Sequence, residues 1–533
     1  RQTFDDEAVR VLKSIAVLEL VSGGLGISIT AEKVAFALGN ATKASVSKLC
    51  SGLVEQGLLV RRRNKAEYAF AVSEAVNIEA VYEKAARCGE DELVIAGVTH
   101  ALSQRLIVAN KHYDRSGTIR TVGVLVGSPA QWPKPPVFKS DEARPDGWIK
   151  LVLVMEGSNG GLLTLQRLKE EVDTLSICGS LSLTPESRAA LAEYSIWLAV
   201  QREVTSKRLD PWTNQYVAGR LHDASEKVSH LVLRQLMPGP GNPGPEYWYN
   251  GHPVANSRNM NASQLASWLF DSVYSDTPRV VNELINKERP PSAIVLARQR
   301  MFDFILSGDP AGQLCGPSEY PPERLIHNTL LRQTGIWREA NGRWSLGEPS
   351  ADAPIDISNV WATISRELLS SSAPTFAGVM ATLAAPPLGI RAGPAGIWIV
   401  LYLMIHRSQC AIFERKTLIL ELTNEHLQRM YKNPHTFELR ELANGTESRK
   451  LLLDYQSAFA AIGYAVGGEL TYLELARSLY RWHARLPEFS LQTTRVGRDA
   501  SLFRSVLKKA QDPIELLTTS LPETYSHANV KLP

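Results

Sequence analysis

The sequence predicts a mixed, mainly helical protein with α/β parts: a winged helix-turn-helix, a small α/β domain, a long helical region and a C-terminal α+β domain. Three observations lead there. Apolar residues recur at helical spacing over most of the chain, short alternating runs interrupt them, and two Asn-Gly pairs sit between such runs as hairpin turns. At 533 residues the chain is long enough for several domains, each with its own interior.

Residues 1–75 carry the winged-helix pattern. A helix over 8–21 places Val9, Leu12, Ile15, Ala16 and Leu20 on one face. Thr30 is placed to cap a second helix, with Lys33 where a capping box would have Glu, and Gly39-Asn40 ends it. Thr42 opens a third helix bearing Val46, Leu49, Leu53 and Val54. After Gly57, LLVRRRNKAEYAFAV reads as two strands around a β-wing.

Residues 76–117 are predicted as a helical connector, with helices over 78–88 and 90–108. The α/β segment, 118–237, has strands expected at 118–126, 148–155 and 174–178, a helix over 162–171, and long helices at 185–207 and 216–237. On the last of these, Val217, Leu221, Ala224, Val228 and Leu231 share one side of an otherwise solvated stalk.

MPGPGNPGPEYWYNGHPVANS, whose Pro/Gly density forbids a helix, opens the region 238–350, with a hairpin through Asn250-Gly251. Helices follow, then WREANGRWSL, a second hairpin turning on Asn341-Gly342. In 351–533 the expected order is a strand over 412–420, a helix over 424–431, a strand over 437–442, then helices to the end.

The run APPLGIRAGPAGIWIVLYLMIHRS sets a sharper question: membrane span, phosphate loop or buried helix. Only fourteen uncharged residues separate Ala392 from Ile405, whereas a crossing helix needs about 20. Gly389, Gly393 and Gly396 do not form GxxxxGK[ST]. Gly393 and Pro394 suit a first turn, and a helix apolar all round belongs inside a large domain. No membrane partner is expected.

Composition narrows the classes further. Apolar residues make 44% and charged residues 21%, as in ordinary globular proteins, and a net charge of +3 gives neither a nucleic-acid coat nor a polybasic anchor. The five cysteines are scattered without metal-site spacing, which suggests free thiols in a reducing cytoplasm. The N-terminal stretch is acidic and amphipathic, unlike a signal or transit peptide, and it lacks an initiator methionine, as a processed or partial chain would.

Nucleic acid is signalled only in the winged helix. Lys43 and Lys48 flank the third helix, and Arg61, Arg62, Arg63 and Lys65 cluster on the wing, where they would neutralise phosphates. The third helix is poor in Arg, Asn and Gln for reading bases, and winged helices also serve as packing modules. Glu319-Tyr320-Pro321-Pro322-Glu323-Arg324 looks reactive but reads more simply as a helix start. The eleven histidines are dispersed, and His406 and His426 read as ordinary helix positions. Gly157-Ser158-Asn159-Gly160-Gly161 follows a strand and opens a helix, where anions bind, but it lacks a nucleotide-loop lysine and reads more simply as a turn. No catalytic or metal motif is recognisable, so no catalytic residue and no metal ligand is assigned.

Taken in order, four segments resemble the large P-loop ATPases of bacterial phage-defence islands, of the BrxC/PglY type of the bacteriophage-exclusion (BREX) systems. They are EAVRVLKSIAVLELVSGGLGISITAEKVAFALGN with LVEQGLLVRRRNKAEYAF, FDSVYSDTPRVVNELINKERPPSAIVLARQRMFDFIL, GPSEYPPERLIHNTLLRQTGIWR, and APPLGIRAGPAGIWIVLYLMI with NPHTFELREL. The resemblance implies a regulatory and assembly half of an antiviral (phage-resistance) protein, with its ATPase module before residue 1. It implies no cofactor within these residues, ATP and Mg for the complete protein, and as partners other defence-system proteins, a second copy, or DNA. The segment reads first as a turn that packs the buried helix; Arg391, if exposed beside the glycines, is the residue that would meet a partner or a phosphate. Two readings stand beside it: a winged-helix DNA-binding protein with a sensing α/β domain, and a nuclease or hydrolase built around the strand ends near Glu156.

Overall fold

The computed structural model describes residues 5–22, 28–39, 41–56, 58–62, 67–70, 78–103, 106–127, 144–155, 166, 170, 173–206, 211–232, 236, 244–316, 319–370, 374–441, 449–461, 471–509, 516–521 and 523. Among them the chain is mainly helical, with four small sheets.

At the N-terminus three helices, Asp6–Ser22, Ala31–Leu38 and Lys43–Glu55, precede an antiparallel hairpin of β1 (Leu59–Arg62) and β2 (Glu67–Phe70). Thr30 and Thr42 each accept a backbone N–H three residues on, so these hydroxyls set where the second and third helices begin. Val11, Ile15, Val34, Val46, Cys50, Leu53, Leu59 and Tyr68 close a core between helices and hairpin. Tyr68 N–H donates to Ile29 O at 2.8 Å, and Thr30 pairs with Glu67, so the segment before the second helix borders the hairpin.

Six strands form the main sheet, ordered β3 (Ile107–Val108), β4 (Thr121–Gly127), β5 (Gly147–Met155), β6 (Ser176–Leu183), β7 (Tyr247–Tyr249) and β8 (His252–Pro253). β4, β5 and β6 are parallel, and antiparallel strands flank them on both sides. The helix expected to continue to 108 ends at Ser103, and its last residues become edge strand β3. β6 runs five residues beyond its expected end, to Leu183, all paired in parallel with β5. Of the helix expected over 162–171, only Gln166 and Glu170 lie among the described residues. The Asn250-Gly251 hairpin forms as expected, with both residues at positive φ, and its strands extend the sheet beyond β6.

One sheet face is packed by helix Glu90–Ser103 through Val94, Val98 and Leu102 and by helix Ala262–Val273 through Leu265, Leu269 and Phe270. The long helices Pro185–Ser206 and Pro211–Leu231 join the same core and pack along each other, so the expected stalk has a buried side: Val217, Ala224 and Val228.

The second large core is built around helix Ala392–Ile405, eleven of whose fourteen residues are buried. Helices Ser292–Ser307, Pro322–His327, Ser358–Leu368, Phe376–Ala384 and Asn424–Lys432 surround it. Trp398, wholly buried, donates its indole N–H to Leu330 O at 3.2 Å, in a π-helical turn (Asn328–Arg332) that follows Pro322–His327. The second Asn-Gly hairpin is β9 (Trp337–Ala340) with β10 (Arg343–Leu346). The strand expected over 412–420 is instead folded on itself. Arg415 and Lys416 take positive φ, so β11 (Cys410–Glu414) and β12 (Thr417–Leu418) form a hairpin, with β13 (Phe437–Glu441) on the other side of β11. Helices Arg449–Ala461, Tyr472–Ala484, Glu488–Gln492 and Arg498–Lys509 follow, and then a π-helical turn, Leu516–Ser520. Among the described residues no helix is long and apolar enough to cross a membrane.

Candidate functional site

The positions singled out on the N-terminal hairpin and third helix are only partly in view. Lys43 and Lys48 are exposed on helix Lys43–Glu55, and Lys43 pairs with Glu32 of the preceding helix at 3.1 Å. Arg61 and Arg62 are the last two residues of β1, opposite Tyr68 and Glu67. Arg63 and Lys65 lie outside the described residues, as do Glu156 and the Gly157–Gly161 turn.

Pro321 caps and Pro322 opens a helix, as the reading of that run expects. Glu323 is buried within its first turn and faces Arg300 at 3.5 Å. His426 closes a capping box with Thr423, and His406 lies against the Tyr402 ring, its Nε2 3.3 Å from Glu348.

Arg391 has internal partners. It is the residue before helix Ala392–Ile405, and its guanidinium pairs with Asp146 at 2.7 Å and donates to Ile119 O at 2.8 Å, 272 residues away in the chain. Burial works against its charge, and Asp146 more than restores it, so the group is held cationic above the usual arginine range. Asp146 also accepts Thr121 N–H at 3.0 Å at the start of β4, which fixes the carboxylate.

Beside this pair lies a residue that the sequence reading passed over. Arg120 is 3% exposed, donates to Gly389 O, and sits 3.8 Å from the centre of the Tyr274 ring. Burial, with Arg391 as the second cause, pushes its pKa down to about 10, so it remains charged at neutral pH. Two guanidiniums thus share one carboxylate, and the Tyr274 face and Glu288 take up part of the excess charge.

Around these charges the backbone of residues 277–289 is threaded between the sheet region and the C-terminal core. Val280 N–H donates to Ser116 O at 2.9 Å on one side, and Gly393 N–H donates to Lys287 O at 3.0 Å on the other. A Cβ on Gly117 would lie 2.1 Å from Val280 O, and one on Gly393 would lie 1.9 Å from Ile285 O. Both glycines are therefore required by close approach. The Asn286 amide donates to Gly117 O at 2.8 Å and Thr118 Oγ1 at 3.0 Å, while Thr277 Oγ1 donates to Leu388 O at 2.6 Å. Buried polar groups satisfied across a joint in this way resist sliding, because each would be costly to leave unmade.

A second buried polar group adjoins the joint. His112, with no exposed surface, holds Asp271 through Nδ1 at 2.8 Å, and Arg115 donates to the same carboxylate oxygen at 2.7 Å. Neither Arg120 nor His112 has a sequence signal, because their partners are distant in the chain. Among the described residues no group of three or more His, Cys, Asp or Glu is placed to hold a metal ion. Comparison with protein-family models, curated proteins and solved structures finds no match to this chain.

Proposed function

We propose that this chain is the regulatory and assembly half of a large ATP-dependent antiviral defence protein whose ATPase module lies N-terminal to residue 1. The observation that carries this reading is the joint around Arg120, Asp146 and Arg391. Its buried charges join the lead-ins of β4 and β5 to the C-terminal core, which suits a body that passes on position. The segments that resemble defence ATPases include 270–306 and 385–405, and both contribute to that joint. In this reading the three N-terminal helices and hairpin form a winged helix, supported by their order and by the Thr30–Glu67 pairing. It would transmit the nucleotide state of the preceding module. Intact mass of the natively expressed protein, coupled to an ATP-binding assay, tests the proposal. A longer chain that binds ATP supports it, and a chain ending near residue 1 that ignores ATP sinks it.

One observation favours a second reading, a winged-helix DNA-binding protein. Helix Lys43–Glu55 exposes Lys43, Ser45, Lys48 and Ser51, residues suited to phosphate contact. Binding of duplex DNA that weakens steeply with salt, and is lost on replacing Arg61–Arg63, would establish it.

A further inference from the structure

His112 is the odd group at the joint. Its Nδ1 is engaged by Asp271, which leaves the proton of the neutral ring on Nδ1 and a lone pair on Nε2. Among the described residues Nε2 has no hydrogen-bond partner, and neither has Nε of Arg120. Both side chains border the Phe270 ring, with centroid distances of 5.8 Å for each.

The charged groups that bear on the imidazole are few. Asp271 faces it from helix Ala262–Val273, Arg115 from its own helix Asn110–Ser116, and Arg120 from the residue before β4. Arg115 already neutralises Asp271 and anchors it by donating to Tyr274 O at 2.8 Å. A proton added to Nε2 would therefore create a buried donor without an acceptor, beside a second buried cation.

The same short helix carries one side of the joint. Ser116 Oγ donates to His112 O at 2.8 Å, and Ser116 O accepts Val280 N–H from the threaded segment. Arg115 grips the carbonyls of Tyr274 and Ser275, and Asp276 N–H donates to Pro387 O at 3.2 Å. Displacing His112 thus displaces contacts to both neighbouring segments.

We propose that His112 is a proton-operated latch: the joint between the sheet region and the C-terminal core stays closed while the imidazole is neutral and opens locally when it becomes charged. Burial holds the ring's pKa down to about 4 in the closed joint, against 6.5 for a free imidazole. The closed state is therefore fully favoured above pH 6.5 and weakens as pH falls from there towards 4. Between pH 7 and pH 5 its equilibrium against an open joint falls roughly twenty-fold. This device is independent of ATP and of the defence reading.

Amide hydrogen exchange on the full chain at pH 7 and pH 5, corrected for intrinsic exchange, tests it. The Val280 and Gly393 amides are expected to lose protection by roughly that factor, whatever acid loss His327 brings to Trp398 and Ile399 in the core. His112→Asn, which preserves a donor to Asp271 but takes up no proton, should abolish the difference. Equal acid loss in the variant overturns the latch. In the unaltered protein, an NMR titration of the His112 ring decides the matter independently of whether the variant folds: a midpoint near 6.5 overturns the proposal, and one well below it supports it.

Discussion

Arg391 and Asp146 meet at 2.7 Å, each less than one-fifth exposed, and so tie the start of the most buried helix to the lead-in of β5. Because Arg120 depends on the same carboxylate, removing Asp146 leaves two guanidiniums facing each other. Asp146→Ala is expected to destabilise by about 3–5 kcal/mol in denaturant unfolding. Arg391→Lys should cost less, since it keeps the charge while giving up the fork that reaches Ile119 O.

Close approach predicts which glycines matter. Gly393→Ala is expected to break the joint or abolish folding, because its Cβ would lie 1.9 Å from a backbone oxygen. Gly52→Ala, in helix Lys43–Glu55 with nothing within 4 Å of the added atom, should stabilise by about 1 kcal/mol. Thermal unfolding of the two variants, made side by side, separates the two cases.

Acid sensitivity has a defined sign and window. His327 is buried edge-on against Trp337, with ring centres 4.4 Å apart, and burial lowers its pKa to about 4. The unfolded state binds this proton more readily, so its contribution is fully present above pH 6.5 and is lost as pH falls towards 4. The loss amounts to about 3 kcal/mol at most. Stability measured in denaturant at pH 7, 6, 5 and 4 should fall over that interval, and His327→Gln should remove part of the slope.

Thiol labelling checks the packing independently. Cys88 is exposed, Cys315 half-buried, and Cys50, Cys178 and Cys410 buried. Burial also raises the Cys50 thiol to about 11, which leaves little thiolate at neutral pH. Cys88 should react first and Cys315 more slowly, with the other three reacting only on unfolding. Rapid labelling of Cys410 in the native protein would contradict the C-terminal core.

Local elements were legible where local chemistry decides them. Thr30 and Thr42 cap helices because a hydroxyl there has a backbone donor within reach, whatever surrounds it. Asn250-Gly251 and Asn341-Gly342 turn because their positive φ values suit those residues. The 412–420 run was misread as one strand because Arg415 and Lys416 carry no such signal, yet both adopt positive φ. Strand β3 was read as helix because two residues at a sheet edge are held by pairing with β4, which no periodicity reveals.

Arg391 shows how the candidate site divides. The sequence marked it as a cation among glycines at a helix start, but not that Asp146 and Ile119 O would take up its guanidinium. Arg120, His112 and Asp271 went unmarked because their partners lie far along the chain.

By itself, then, the sequence determined the apolar faces, the caps, both Asn-Gly turns and the buried character of Ala392–Ile405, since each follows from side-chain chemistry acting over a few residues. Only the tertiary structure decided that β7 and β8 extend the main sheet, that residues 277–289 pass between two glycines, and that one carboxylate serves two arginines. Those features depend on desolvation and on backbone approach between segments distant in the chain, and neither leaves a periodic trace in it.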